Sequence, residues 1–397
     1  MSWAATGLAM LALAAWFWLF VGRDRFWRSG PELAPLAPQV AATVDVVVPA
    51  RDEAESIAES LSSLLGQDHA GPVRVILVDD GSRDATLEIA RGLAAAAGRH
   101  RLDVIQGRPA PAGWSGKLWA LDQGIAAARR ESAWLLLTDA DIVHTRGHLA
   151  ALLAKAESEG FDLVSEMVAL NCESLAERAL VPAFVFFFQL LYPFAAVNDP
   201  SKHTAAAAGG TILIRRSALD RVGGMASIRG ALIDDVTLAK AVKPGGKIWL
   251  GHTRMAESRR AYPGFADIWR MIARTAFVQL RYSGVWLLAT LLGMSFLFVL
   301  PPLLALFGAG LARWLGLAAW LLGAALYWPS LRRYRQSPLW APLLPVVAGF
   351  YLAATAGSAI AHWSGRGQVW KDRTYREMPP PKAAPGTSPR ASPGTPT

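Results

Sequence analysis

Apolar and polar positions divide the chain into an apolar start, an alternating middle and an apolar last third. Residues Ala4–Val21 are almost wholly apolar, and Arg23, Asp24, Arg25 and Arg28 follow. That length suits a membrane span. No basic segment precedes it and no small-residue cleavage site follows, so an uncleaved anchor is expected, with the next stretch held in the cytoplasm by its arginines. Pro31–Ala42, dense in turn formers, reads as a linker.

From Val44 onward, short apolar runs alternate with helical periods. Val44–Pro49, Arg74–Asp79, Leu102–Gln106 and Trp134–Thr138 are predicted strands; Glu53–Leu65, Asp84–Ala97 and Lys117–Arg130 are predicted helices. This alternation predicts an α/β domain with a doubly wound, mostly parallel sheet. After Gly160 the rhythm loosens. Asp162–Val168 is predicted as an edge strand, with Thr211–Arg215 and Ile248–Gly251 as further strands. Leu180–Val197 is apolar but interrupted by Pro182 and Pro193, which suggests a helix on a membrane surface, with a buried core helix as the alternative.

Gly284–Phe307, Leu311–Trp328 and Leu339–Ala361 are three more candidate spans, the third kinked or re-entrant at Pro342 and Pro345. Leu331–Gln336 carries three arginines and is expected in the cytoplasm, whereas strict alternation would put the basic tail from Gly365 outside. The preferred solution is a cytoplasmic tail, with one segment not crossing fully. Residues beyond Met378, rich in Pro, Ser, Gly and Thr, are expected to be disordered. The expected organisation is an anchor and linker (1–42), a cytosolic domain (43–282), apolar segments (283–363) and a tail (364–397).

Composition sharpens this picture. The 397 residues are 53% hydrophobic with 16 Trp, and the formal charge is +9. The basic residues cluster beside apolar segments, which favours anionic lipid headgroups over nucleic acid. The single cysteine, Cys172, excludes an internal disulfide and a thiolate zinc cluster and is expected to be an inert packed thiol. His144 and His148 lie one helical turn apart, but no third ligand accompanies them, so a solvated helix face is expected.

Candidate chemistry collects at strand ends. Trp134–Asp141 reads W-L-L-L-T-D-A-D, a buried strand followed by Asp139 and Asp141 where open α/β sheets hold ligands. Carboxylates at that spacing can share Mg²⁺ or Mn²⁺, hard ions that in turn hold phosphates; a solvated turn is the plain alternative. The first strand ends P-A-R-D-E and the second V-D-D-G-S-R-D-A-T, on the same rim. A carboxylate there can accept from a base imide or from ribose hydroxyls, while Gly81 to Asp84 can equally form a turn and helix cap. Dinucleotide and P-loop glycine patterns are absent. Lys117, opening a helix, can reach a diphosphate or simply be solvated. Asp234 and Asp235 begin another helix, where they either complement its dipole or, for Asp235, act as a general base. Gly209 and Gly210 would let a substrate approach the backbone.

Together P-A-R-D-E, V-D-D-G-S-x-D-x-T, G-K-L-W-A-L, T-D-A-D and the later Asp-Asp resemble family 2 glycosyltransferases of the GT-A fold, from about Val44 to Arg281. The order A-G-G-T-I-L-I-R-R-S-A-L-D-R-V-G-G, I-D-D and W-R-M-I-A-R-T looks most like the hopanoid-biosynthesis-associated membrane glycosyltransferases. The resemblance implies a mixed GT-A sheet, a nucleotide-diphosphate sugar donor, a lipid acceptor, a divalent metal and inversion at the anomeric carbon. By position it implies that Pro49, Ala50, Arg51, Glu53, Asp79, Asp80, Lys117 and Asp139 bind the nucleotide sugar. Asp139 and Asp141 would serve the metal, and Asp235 would be the catalytic base. Gly209, Gly210, Asp234 and Arg274 are candidates for acceptor or diphosphate.

The chain departs from the processive synthases' (Q/R)-x-x-R-W motif: Met271 holds the first position, and Thr275 follows Arg274. That favours a single transfer. The tail Val369–Tyr375 is similar to a W-x-x-R-x-Y-like stretch of lipid glycosyltransferases, which adds Lys371 and Arg373 as phosphate contacts; a basic juxtamembrane face is the alternative. The implied setting is the cytoplasmic membrane, multi-pass, with the domain in the cytoplasm. Competing functions are transfer to a polyprenyl phosphate or glycolipid and, from another class, a non-catalytic nucleotide-sugar-binding scaffold.

Overall fold

The computed structural model describes residues 3–35, 41–98 and 100–365, together with the backbone of 368–370 and 373–375. Apart from a short antiparallel pair at Gln368–Trp370 and Arg373–Tyr375, its strands are β1 (Val44–Ala50), β2 (Val73–Asp79), β3 (Arg101–Gln106), β4 (Trp134–Thr138), β5 (Ile142–His144), β6 (Leu163–Ala169), β7 (Thr211–Arg215) and β8 (Ile248–Ser258). They form one eight-stranded sheet in the order β3-β2-β1-β4-β7-β6-β8-β5. β3, β2, β1 and β4 pair in parallel. β7 runs antiparallel to both β4 and β6, and β8 is parallel to β6. The sheet is therefore mixed, and β4 stands where its direction changes.

The sequence of β4 explains that central place. All five of its residues are buried. Leu135 and Leu137 join Val47 and Ile76 in one core layer, while Trp134 and Leu136 join Val46 and Val48 in the other. Burying one such leucine contributes about 1.5–3 kcal/mol. After α1 (Trp3–Val21), the helices α2 (Ile57–Leu65), α3 (Thr86–Ala96) and α4 (Gly116–Ala127) cross between the parallel strands, and α5 (His148–Glu159) follows β5.

Two expectations on this side are corrected. The stretch predicted as an edge strand is β6, which lies inside the sheet between β7 and β8. Its polar Ser165 and Glu166 disguised it, yet both are fully buried. His144 and His148 are not on a solvated helix face: the first sits on β5, the second opens α5, and both are buried.

The later helices are α6 (Leu175–Leu191), α7 (Phe194–Asn198), α8 (Arg216–Arg221), α9 (Asp234–Val242), α10 (Phe265–Gln279), α11 (Gly284–Met294), α12 (Leu300–Phe307), α13 (Leu311–Arg333) and α14 (Leu344–Trp363). A π-helical turn, Ser295–Val299, joins α11 to α12. α6 is started by a capping box between Ser174 and Glu177 and runs through Pro182. The stretch expected on a membrane surface is for the most part packed. Val185 joins the sheet-side core, and Ala183 and Phe186 join a third core with Trp16 of α1 and Tyr327 of α13.

Among the described residues, four helical segments are long and apolar enough to cross a membrane: Trp3–Val21, Gly284–Phe307, Leu311–Arg333 and Pro338–Trp363. Residues 31–35 of the expected linker dock on β8, where the Pro31 carbonyl accepts the His252 amide and the Leu33 amide donates to the His252 carbonyl. Arg333 reaches the same place, with Glu32 at 3.3 Å and the Thr253 carbonyl at 3.1 Å, so α13 ends against the sheet domain. The chain then turns back into the helices, and Trp320 Nε1 donates to the Pro342 carbonyl at 2.9 Å. α14 returns: His362 stacks on Tyr282 at 4.5 Å, and Trp363 meets Phe277 at 5.4 Å. Gln279, just beyond Phe277 on α10, donates to Tyr192 Oη of the sheet-side core. Both ends of the 334–363 excursion thus lie on the sheet-domain side of the helices.

Candidate functional site

The ends of β1, β4 and β8 meet the start of β7 around a cavity of about 690 Å³. α4 is capped by Ser115, whose hydroxyl accepts the Leu118 amide at 3.3 Å, and this sets Lys117 in the first turn. Lys117 Nζ lies 2.8 Å from Asp139 Oδ1 and 3.3 Å from Asp234 Oδ2. Asp235 Oδ2 accepts the Gly209 amide at 2.8 Å, and its Oδ1 accepts the Val236 amide at 2.7 Å. Asp141 Oδ2 accepts from Ser258 Oγ at 2.8 Å and from Arg260 Nε at 3.2 Å. The other end of that guanidinium donates to Glu53 at 2.7 Å.

Charge is unevenly matched here. Burial pushes the Asp235 carboxyl up to about 7, with the neighbouring Asp234 adding to the shift. Burial also raises Asp139, with Asp141 and Asp234 adding to the rise while Lys117 opposes it. Burial works against the Lys117 ammonium, yet Asp139 and Asp234 outweigh it and hold the pKa above the ordinary lysine value. Glu53, Asp139, Asp141, Glu166, Asp234, Asp235 and Asp267 share the wall with Arg51, Lys117, Arg260, Arg270 and Arg274. That excess of acid suits a bound cation beside Asp139 and Asp141. Among the described residues no three His, Cys, Asp or Glu side chains gather as a metal cluster. The donor set fits a Mg²⁺- or Mn²⁺-type ion held by one or two carboxylates and completed by phosphate oxygens.

The other expected residues fall into groups. Pro49, Arg51, Glu53, Asp234, Gly209, Gly210 and Arg274 all reach the wall. A Cβ on Gly209 would meet Lys117 Nζ at 3.3 Å and Asp235 Oδ2 at 3.4 Å, so the glycine keeps the centre open. Ala50, Asp79 and Asp80 are buried and are not part of that wall. The Asp80 amide donates to the Ala50 carbonyl, and the Asp80 carbonyl accepts Arg51 Nη1 at 2.7 Å. Asp79 accepts the Ser82 amide at 3.3 Å across a turn in which Gly81 has φ 74°. Lys371 lies outside the described residues, as does the side chain of Arg373. Burial raises the free Cys172 thiol to about 12, in keeping with an inert group.

Sequence reasoning missed Ser258 and Arg260. They lie at and just past the end of β8, which continues well beyond the expected Gly251. The apolar wall was missed as well: Leu170, Phe184 and Phe188 face the cavity with Met271 of α10. α10 packs along α14, with Trp269 against Phe350 at 5.6 Å and Ser358 Oγ donating to the Ala273 carbonyl at 2.5 Å. The cavity lining thus joins the acids at the strand ends to apolar side chains of α6 and α10, helices that also pack into the apolar bundle, and α10 adds Asp267, Arg270 and Arg274 to the wall.

Residues 45–223 match the family model Glycosyl transferase family 2. No curated protein matches the chain. A solved structure similar to it is the mannosyltransferase PcManGT from Pyrobaculum calidifontis in complex with GDP-Man and Mn²⁺. That likeness has a TM-score of 0.56 at 20% identity and covers 90% of this chain and 99% of that one. Glucosyl-3-phosphoglycerate synthase from Mycobacterium tuberculosis, solved with Mn²⁺ and UDP-glucose, is more distant: TM-score 0.38, 17% identity, 62% of this chain and 85% of that one. The first likeness shows the fold, which is of GT-A type.

Proposed function

We propose, from the match of residues 45–223 to the glycosyl transferase family 2 model and from the GT-A-type fold, that this chain is a membrane-bound inverting glycosyltransferase. It moves a sugar from a nucleotide-diphosphate sugar to a lipid acceptor. The observation that carries the reading is the mixed lining of the cavity, which brings Lys117 and the acids together with Phe184, Phe188 and Met271. A charged donor and a greasy acceptor can meet there, and helices of the apolar wall pack against candidate membrane spans. Hopanoids are the acceptors that the order of the motifs suggests.

In this mechanism Asp235 takes the proton of the acceptor hydroxyl as the oxygen attacks the anomeric carbon. The bond from that carbon to the diphosphate breaks, and its electron pair leaves with the nucleoside diphosphate. Attack and departure on opposite faces invert the centre. Lys117 stabilises the charge growing on the leaving group, and Arg260 holds Asp141 and Glu53 in place. A divalent ion on Asp139 and Asp141 would supply Lewis-acid charge at the diphosphate. The shift of Asp235 to about 7 suits a group that must both accept and release a proton near neutrality. The domain works on the cytoplasmic face of the cytoplasmic membrane, where the basic loop after α1 anchors it.

Arg270 and Arg274, which flank Met271 on the wall, favour a second reading in which the acceptor carries a phosphate, as a polyprenyl phosphate does. Purified protein in lipid vesicles, supplied with labelled nucleotide sugars and either hydroxyl-bearing or phosphate-bearing lipids, separates the two readings by which lipid gains the label.

A further inference from the structure

From Glu166 at the cavity wall a buried chain of polar groups, which the proposed transfer does not use, runs to the turn before Asp139. Thr138 Oγ1 donates to the Gly210 carbonyl at 2.8 Å and lies 3.2 Å from His144 Nε2. His144 Nδ1 lies 2.8 Å from His148 Nδ1, and His148 Nε2 is paired with Glu166 Oε2. The two imidazoles stack with centroids 5.1 Å apart. Glu166 and His148 are wholly inaccessible, and Thr138 and His144 nearly so.

The protons in this chain can be placed by elimination. The Gly210 carbonyl can only accept, so the single hydroxyl proton of Thr138 points to it. His144 Nε2 must then be the donor to Thr138 Oγ1. A neutral His144 consequently accepts at Nδ1, and His148 Nδ1 is its donor. Burial and the adjacent His148 hold the His144 pKa well below its ordinary value, which keeps that ring neutral. The last link, between His148 Nε2 and Glu166, holds one proton.

We infer that Thr138, His144, His148 and Glu166 form a positioning chain that fixes the distance between the two halves of the acidic site. Thr138 immediately precedes Asp139. Gly210 follows Gly209, whose amide holds Asp235 Oδ2 at 2.8 Å. One hydroxyl thus ties the turn bearing Asp139 and Asp141 to the turn on which Asp235 leans. The histidines give that hydroxyl a single orientation, and Glu166 fixes the histidine tautomers. This role rests on the proposed transfer, because it is Asp235 and the two strand-end acids that must be held in register.

The test uses the full-length protein in lipid vesicles. Thr138→Val keeps the side-chain shape but removes the tie; kcat is expected to fall roughly 10- to 100-fold while the donor KM stays within about threefold, since misplacement affects the chemical step. Thr138→Ser restores the hydroxyl and is expected to recover kcat to within about threefold of wild type. Glu166→Gln can donate its amide proton to His148 Nε2 and should keep the tautomers, whereas Glu166→Leu should not. Nitrogen NMR of ¹⁵N-histidine-labelled protein reads this without any turnover: His144 is expected protonated at Nε2 and bare at Nδ1 in wild type and Glu166→Gln, and mixed in Glu166→Leu. Equal kcat in the Val and wild-type proteins, equal loss in the Val and Ser variants, or the opposite His144 tautomer would each overturn the inference. A wild-type protein that transfers no sugar would overturn the proposed function instead, and the NMR signature would still decide whether the chain exists.

Discussion

Lys117 Nζ meets Asp139 Oδ1 at 2.8 Å, one residue opening α4 and the other following β4. The same ammonium is 3.3 Å from Asp234, so one lysine joins the strand-end acids to the acid pair of α9. Lys117→Met is expected to lower kcat by about 10²–10³, the scale for losing one preorganised charge at a developing anion. Lys117→Arg should lose less. Steady-state kinetics beside donor binding would check this: a normal kcat in Lys117→Met would make the lysine a bystander.

Asp235 supplies the pH dependence. Its carboxyl is raised to about 7 by burial and by Asp234, and only the ionised form accepts a proton. The transfer rate should therefore climb as pH rises through about 7 and level off above it. Asp234→Asn removes a neighbouring negative charge and should move the midpoint to lower pH. The same shift means that the folded protein holds this proton more tightly than the unfolded chain, so Asp235's contribution to stability declines as pH rises from the ordinary carboxylate range through about 7. A rate that falls across that interval would remove Asp235 from the role of base.

Chelation should abolish transfer, and added Mg²⁺ or Mn²⁺ should restore it. Asp141→Asn should weaken the restoration, read as a higher metal concentration for half-maximal rate. Full activity in excess chelator would show that Lys117 and the arginines suffice.

The helical ends make a prediction about sidedness. His362 and Trp363 return to Tyr282 and Phe277, beside the sheet domain. In a Cys172→Ala background, exposed Ser364→Cys and Ser201→Cys should react with a membrane-impermeant maleimide from the same side. Labelling from opposite sides would mean that α14 crosses the bilayer completely.

Much of this was readable in the chain. The apolar run of β4 ends at Thr138 because two carboxylates follow, and that boundary alone located Asp139 and Asp141. Asp234 and Asp235 were visible at a helix start, but only the folded chain shows that Lys117 reaches Asp234 and that Asp235 leans on the Gly209 amide. β6 was misplaced at an edge because Ser165 and Glu166 look solvent-facing; their partners, the Ala208 carbonyl and amide for Ser165 and His148 for Glu166, are remote in sequence. The histidines were misjudged for the same reason. Arg260 escaped because no local pattern tells a solvated arginine from one clamped between Asp141 and Glu53. Asp79 and Asp80 show what a motif alone leaves open: the fold buries both, with Asp80 held against Arg51 of the cavity wall.

The most direct measurement compares lipid extracts from membranes holding the wild-type protein or Asp235→Asn after incubation with nucleotide sugars. One lipid species should gain the mass of a single sugar with the wild type. It should be absent with the variant, although the variant still binds donor. The same lipid product from both proteins, or sugar released only to water by the wild type, would contradict transfer to a lipid with Asp235 as the base.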